Sequence, residues 1–213
     1  QHGFFPGRRV ESNLMELSIL VHESFDNNVQ TDLFLADIHK AFDVIRCILL
    51  IMKLANDVYR LCNSLLMWFR SFFQGRTQMV KINSCKSDPI EVHSGIGQGS
   101  ILAAIFFVVF FNDSDCTTNS TRDINFADDK KIVHNGISSV DDTRSMQSSI
   151  DDFIQWCSIN GFELNAGKCK VISISRKRSP ILSSYHMNGQ PITRVTSTND
   201  IGVRYNDKFS FND

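Results

Sequence analysis

The sequence predicts an α+β domain built on a mainly antiparallel sheet of the split βαβ kind. Three observations carry that reading. Short apolar runs with strand character alternate along the chain with longer stretches of helical periodicity. Hairpin signals recur, in FADDKK at 126–131 and in MNGQ at 187–190. Four prolines in 213 residues, with no Gly-rich linker, repeat or low-complexity tract, leave no obvious domain boundary.

The elements follow in order. Residues 11–25 read as a helix, with Leu14, Leu17, Ile19, Leu20 and Val21 on its apolar positions. Residues 32–37 (DLFLAD) form a short run that is apolar on both sides and ends in a carboxylate, as a central strand would. Residues 42–54 and 61–73 read as helices, and 77–82 and 90–92 as short strands. A Gly-rich loop at 94–100 leads into an apolar helix over 101–111. Residues 124–134 read as a hairpin. Ser139 and Asp142 have capping-box spacing, Met146, Ile150, Phe153, Ile154 and Cys157 recur at helical spacing after them, and Gly161 is a natural stop. CKVISIS at 169–175 alternates isoleucine with serine, the pattern of a half-buried strand, and Asn188-Gly189 supplies the two positive-φ positions of a tight hairpin.

Composition narrows the class. At 42% hydrophobic, with 22 basic and 23 acidic side chains, the chain can enclose a core and is no disordered tail. A net charge of −1 argues against a purely electrostatic nucleic-acid binder. The opening residues carry Gly3, Pro6, Gly7, Arg8 and Arg9 and lack the apolar core of a signal peptide. The uncharged run at 101–111 falls well short of the roughly twenty residues of a membrane span. Six cysteines, with no Cys-x-x-Cys pair and no zinc-ligand spacing, read as reduced thiols of an intracellular protein, cytoplasmic or nuclear.

Three carboxylates stand out. Asp37 ends the apolar strand, and Asp128 and Asp129 sit at the turn of the 124–134 hairpin. Taken one at a time, the commoner explanations are a helix cap and a polar turn. If the two strands are adjacent, the three carboxylates converge. Like charges so close need cations between them, and hard divalent ions such as Mg²⁺ prefer such oxygen ligands.

Read with the rest of the chain, these residues fall into a known pattern. QHGFFPGRRVESNL at 1–14, DIHKAFD at 37–43, WFRSFFQGRTQMV at 68–80, SGIGQGSILAAIFFVVFFND at 94–113, FADDKK at 126–131, WCSINGFELNAGK at 156–168 and IGVRYNDKFSF at 201–211 occur in one order. By these blocks the chain resembles the reverse transcriptase domain of LINE-type non-LTR retrotransposons, of the arthropod jockey-like group. The resemblance covers nearly the whole chain. A group II intron or retron-type reverse transcriptase is a further possibility, against which the 68–80 block speaks.

The resemblance implies a right-hand polymerase: residues 1–30 the C-terminal part of the fingers, 31–178 the palm with the metal site, and 179–213 the end of the palm bordering an absent thumb. It implies an RNA-directed DNA polymerase of a mobile element, working on an RNA template, a DNA primer and deoxynucleoside triphosphates with two Mg²⁺ ions. Asp37 and Asp128 would be the main metal ligands, and Asp129 a weaker or indirect one. Phe42 falls where the family keeps an aromatic steric gate against a 2′-hydroxyl. Gln98, Gly99 and Ser100 would line the pocket beside the templating base pair. Lys168 would donate a proton to pyrophosphate or contact phosphate, Arg8 would touch the triphosphate, and Ile201, Gly202 and Val203 would lie near the primer terminus. Arg76, Lys81, Arg176, Lys177 and Arg178 are candidate contacts to the nucleic-acid backbone. No membrane is implied, and the oligomeric state stays open.

Some positions depart from the pattern. Phe5 stands where the family has arginine, Gly97 where it has proline before Gln98, Ala103-Ala104 for Gly-Pro, and Ile38-His39 for Phe-Ser. These departures, with the missing flanks, raise the alternative of an inactive, truncated remnant that folds as a palm and binds nucleic acid weakly at most.

Overall fold

The computed structural model describes residues 1–56, 59, 61–97, 99–115 and 120–211. The chain forms two compact units, Gln1–His39 with Ser114–Asp213, and Lys40–Asp113. In chain order the elements are α1 (Val10–Asp26), β1 (Gln30–Ala36), α2 (Ala41–Val44), α3 (Cys47–Ala55), α4 (Asn63–Phe73), the two-residue strands β2 (Thr77–Gln78), β3 (Lys81–Ile82), β4 (Cys85–Lys86) and β5 (Ile90–Glu91), and α5 (Ile101–Phe111). Then come β6 (Thr121–Phe126), β7 (Asp129–Ile137), α6 (Val140–Asn160), β8 (Lys170–Ile174), β9 (His186–Met187), β10 (Gln190–Pro191), β11 (Thr193–Val195), β12 (Ser197–Asp200) and β13 (Val203–Asn206). Among the described residues no helix is long and apolar enough to cross a membrane.

The first unit is built on a five-stranded sheet in the order β11-β8-β1-β7-β6. Its pairings are antiparallel except for β11 beside β8. β1 lies at the centre, and the period-2 pleat sends its side chains to two covered faces. On one face Leu33, Val133, Ile124 and Ile172 pack with Leu17, Leu20 and Val21 of α1 and with Tyr205 and Phe209. α6 packs on the other, through β6 and β7. α6 begins and ends as its sequence dictates: Ser139 and Asp142 form a reciprocal capping box, and Gly161 closes it in the left-handed conformation at φ 79°. Backbone N–H groups of Ser138 and Ser139 hold the Asp142 carboxyl down at about 2.

Burial on both faces corrects one expectation. β8 is not a half-buried strand, because Ser173 and Ser175 are only 7% and 1% exposed. The Ser173 hydroxyl donates to Asp32 Oδ1 at 2.5 Å, in a buried cluster completed by Gln30, Tyr185 and Arg194. The Asn188-Gly189 hairpin forms as expected, with φ of 51° and 78°.

His134 is poorly served in this interior. It is 3% exposed, and among the described residues neither ring nitrogen has a hydrogen-bond partner. Burial pushes its pKa down, against the smaller opposing pull of Asp142 and Asp32. The unfolded chain therefore binds the proton more readily, and stability is lost as pH falls below about 6.5, by at most about 1.4 kcal/mol per pH unit for one such group. His134→Leu is expected to flatten that slope. Urea midpoints measured between pH 8 and 5 check it, and an unchanged slope in the variant would sink the assignment.

In the second unit, Leu50, Ile51, Leu54, Phe69, Phe73, Phe106 and Phe107 form the buried core. α5 is buried on one side only, since Ile101 and Ile105 are exposed. The single helix expected over 42–54 is two helices, α2 and α3. Gly95 N–H donates to Ile45 O at 2.8 Å and Ile96 N–H to Phe42 O at 3.0 Å, so the Gly-rich loop takes carbonyls that a continuous helix would use. Gly95 is required there, because a Cβ would lie 2.8 Å from Asp43 O and its φ is +82°. The strand expected over 77–82 is likewise broken at Met79–Val80, where Val80 exchanges hydrogen bonds with Ser87; its two halves pair separately with β5 and β4.

Candidate active site

The site forms where β1 ends against the β6–β7 hairpin. The last registered pair of β1 and β7 is Ala36 with Lys130, and one residue further the register carries Asp37 opposite Asp129. The loop between loop-closing partners Phe126 and Asp129 is two residues long, Ala127 and Asp128. Asp128 lies in the turn and Asp129 opens β7. Ala127 takes a left-handed φ of 53°, a position for which hairpins favour glycine. For a residue with a Cβ that conformation costs about 1–2 kcal/mol, and such strain persists only where the surroundings hold it.

The end of β1 is held by the segment that follows α6. Asp37 N–H donates to Cys169 Sγ at 3.4 Å, and Asp37 O accepts from Asn165 N–H at 2.9 Å. Ile38 bridges Leu164, and His39 N–H donates to Glu163 O at 2.8 Å. Lys168, on the same segment, brings its ammonium 3.7 Å from Asp37 Oδ2. The Asn-x-x-Lys part of the 156–168 block is therefore the strap that fixes Asp37.

The carboxylates feel one another. Burial, and then the neighbouring Asp128 and Asp200 charges, push Asp129 up to about 6, with Lys131 opposing and Asp37 adding to the rise. Asp128 is raised by burial and by Asp37. Asp129 still presents surface to solvent. A cleft of about 200 Å³ opens beside them, lined by Asp37, Asp129, Lys168, Asp200 and Ile201 among others. Ile201 and Gly202 form the β12–β13 turn with φ of 43° and 88°, between partners Asp200 and Val203. A β-branched residue at positive φ is a genuine outlier, and this one faces the cleft.

Beneath the cleft lies a layer that sequence reasoning missed. Lys130 and Lys131 are 1% and 0% exposed and point to opposite faces of the sheet. Lys130 pairs with Asp123, donates to Ser114 O at 2.9 Å and lies over the Phe153 ring. Lys131 pairs with Asp200 at 2.6 Å and donates to Asn13 Oδ1, and the Tyr205 hydroxyl donates to Asp200 Oδ2 at 3.0 Å. Burial pushes Lys131 down, and Asp200 counters.

Other expected site residues lie as follows. Arg8 is exposed; its guanidinium donates to Gln1 O at 3.1 Å and sits 5.3 Å from the Phe5 ring. In the second unit, Phe42 is half-buried and stacks on Phe107 with centroids 4.3 Å apart. Ser100 caps α5, accepting from Leu102 N–H at 3.3 Å, and Gly99 has φ 88° with open space where a Cβ would be. Gln98 lies outside the described residues. Arg76 is tied to its own unit by Gly95 O, Phe73 O and Cys47 Sγ.

Among the described residues no three His, Cys, Asp or Glu side chains form a cage able to hold a metal ion unaided. The donor set nevertheless fits a hard cation. It is all oxygen, and its carboxylates raise one another's affinity for protons, the mark of negative charge left unbalanced.

A central strand ending in one carboxylate, beside a hairpin tipped by two more and backed by two helices, defines a right-hand polymerase palm. A family model described as reverse transcriptase (RNA-dependent DNA polymerase) matches residues 1–204, and the chain belongs to that family. It is 26% identical over 149 residues to the RNA-directed DNA polymerase from mobile element jockey of Drosophila melanogaster, a match covering 67% of the chain and 16% of that protein. It is 20% identical over 219 residues to the probable RNA-directed DNA polymerase from transposon BS of the same species, covering 99% of the chain and 24% of that protein. The chain thus spans between 16% and 24% of the length of these relatives. Among solved structures it resembles apo telomerase from Candida tropicalis, with TM-score 0.61, 12% identity, 95% of this chain and 35% of the other covered. Telomerase from Candida albicans in complex with a TWJ fragment of telomeric RNA has TM-score 0.61 and 12% identity, over 93% of this chain and 33% of the other. At such identity the likeness speaks for the fold.

Proposed function

We propose that the chain is the nucleotidyl-transfer core of an RNA-directed DNA polymerase of a mobile element. The observation that carries this reading is the β1–β7 register, which sets Asp37 across from Asp129 beside the Asp128 turn in a chain of the reverse transcriptase family. Its substrates are an RNA template, a DNA primer and deoxynucleoside triphosphates. Residues 1–30 are the C-terminal part of the fingers, 31–178 the palm with the metal site and 179–213 the end of the palm, and the protein works inside the cell.

Asp37 and Asp128 would hold two Mg²⁺ ions, with Asp129 in a weaker contact. Such ions, when bound, ease ionisation of the primer 3′-hydroxyl and offset charge on the leaving pyrophosphate. The chain's own residues do the remainder. Lys168, 3.7 Å from Asp37 Oδ2, offers its ammonium to the leaving phosphate. Ile201, Gly202 and Val203 support the primer end, with Ile201 lining the cleft. The family resemblance gives Phe42 the steric gate, Gln98, Gly99 and Ser100 the templating pocket, and Arg8 the triphosphate. The test is primer extension on an RNA template, using the chain with any flanking sequence its gene encodes. Incorporation is expected to need a divalent cation and to vanish in Asp37→Asn; an Asp37→Asn protein that still extends the primer ends the proposal.

A specific observation favours a second reading, a palm that no longer polymerises. Phe5 occupies the family's arginine position, and Arg8 is engaged with it and with Gln1 O. Restoring Phe5→Arg separates the readings, since a drifted enzyme gains incorporation and a binding-only remnant gains none.

A further inference from the structure

The chain's first three residues form an arm between α1 and the carboxylate hairpin. The Gln1 side-chain amide brackets Ala127 from both sides: Oε1 accepts from Ala127 N–H at 2.9 Å, and Nε2 donates to Ala127 O at 3.1 Å. The same Oε1 accepts from Gly3 N–H at 2.9 Å, which fixes the amide's orientation. His2 N–H donates to Asn125 O at 2.7 Å, adding a backbone contact along the outer edge of β6. The buried His2 ring is anchored to α1, at 2.8 Å from Ser12 Oγ and 2.9 Å from Glu16 Oε2. Gly3 passes so near the turn that a Cβ would lie 2.3 Å from Ala127 N.

All of this converges on Ala127, the residue in the left-handed conformation immediately before Asp128. A two-residue hairpin loop with a non-glycine residue at that position does not hold itself. A side-chain amide that takes both the N–H and the C=O of that residue fixes the peptide planes on either side of it, and so the direction from which Asp128 leaves the backbone.

We infer that Gln1 is a positioning residue: its amide holds Ala127 in the left-handed turn and thereby aims the Asp128 carboxylate. The aiming half rests on Asp128 being a cation ligand, as proposed above. The holding half does not.

The experiment compares wild type with Gln1→Ala and Gln1→Glu in the encoded sequence context, by amide hydrogen exchange and by Mn²⁺ titration without nucleotide. Gln1→Ala is expected to speed exchange of the Ala127 amide by about tenfold, the loss of one good hydrogen bond, while Val133 in the sheet core stays protected. Gln1→Glu keeps the acceptor for Ala127 N–H but loses the donor to Ala127 O, and is expected to restore Ala127 protection in part. Mn²⁺ affinity in Gln1→Ala is expected to fall by about tenfold as well. Unchanged exchange at Ala127 overturns the inference, and so does faster exchange with Mn²⁺ affinity intact. If wild type itself binds no Mn²⁺ and Asp128→Asn changes nothing, the cation reading fails, and Ala127 exchange still decides whether Gln1 holds the turn.

Discussion

Lys131→Ala is expected to destabilise the first unit by about 3–5 kcal/mol, the usual consequence of removing one member of a buried ion pair. The Lys131 ammonium is fully enclosed, 2.6 Å from Asp200, whose own side chain is 3% exposed. Removing it leaves the buried Asp200 carboxylate with the neutral Tyr205 hydroxyl and, among the described residues, no ion-pair partner, and burial and Asp200 keep that phenol protonated. The reverse experiment separates charge from packing. Lys131→Met with Asp200→Asn removes both charges with little change of volume and leaves the Tyr205 hydroxyl an acceptor, so the loss is expected to be smaller than in Lys131→Ala. Urea unfolding of the three proteins checks this; a loss under about 1 kcal/mol in Lys131→Ala would show that the pair is hydrated and not buried. The pair also bears on the site. Lys131 is the cation that restrains the rise of the Asp129 pKa, so its loss is expected to drive Asp129 further toward the protonated form at neutral pH.

How much of this was legible in the sequence depends on the range of the interaction. The α6 capping box, the Gly161 stop, the Asn188-Gly189 turn and the FADD hairpin are each specified within a few residues, and each forms where the sequence puts it. The helix over 42–54 was misread because what divides it is a loop some fifty residues away that takes its carbonyls. The burial of the β8 serines and of the two β7 lysines escapes local reading for a related reason. Alternation and charge report one exposed face, and only the strand order reveals that this sheet has none at those positions. The site divides the same way. Asp37, Asp128, Asp129 and Lys168 stand in ordered blocks that the eye can find. Asp200, Asn13 and Gln1 act through partners far along the chain; Gln1 and Asn13 stand in the 1–14 block, but nothing local names their partners. Two consecutive lysines inside a strand whose flanks are apolar were the one available signal, since buried lysines must be paired.

The second large effect concerns the carboxylates themselves, and it pulls stability and activity in opposite directions. Asp129 titrates at about 6 in the folded chain, above its unfolded value near 3.9. The folded state therefore binds the proton more tightly, the stability this gives is complete below pH 4, and it is lost as pH rises through 6. Asp128 is raised in the same direction by burial and by Asp37. A charge at either position, without divalent cation, is held against its environment. Asp128→Asn is thus expected to raise the melting temperature of the cation-free protein, by about 2–4 °C if the relief is near 1 kcal/mol. A cation that binds only the folded site should stabilise wild type in proportion to its concentration, by about 2.7 kcal/mol at a hundredfold excess over its dissociation constant. Asp128→Asn and Asp129→Asn should each forfeit part of that gain. Primer extension by Asp128→Asn is expected to fall at least a thousandfold, equivalent to about 4 kcal/mol in the barrier. Thermal melts with and without Mg²⁺ and single-turnover extension together check the prediction. An Asp128→Asn protein that melts lower without cation has lost a structural contact and not a repulsive charge; one that keeps its extension rate places the chemistry elsewhere. Rising stability with vanishing activity is the result that belongs to a site whose charges are arranged for a cation and not for the fold.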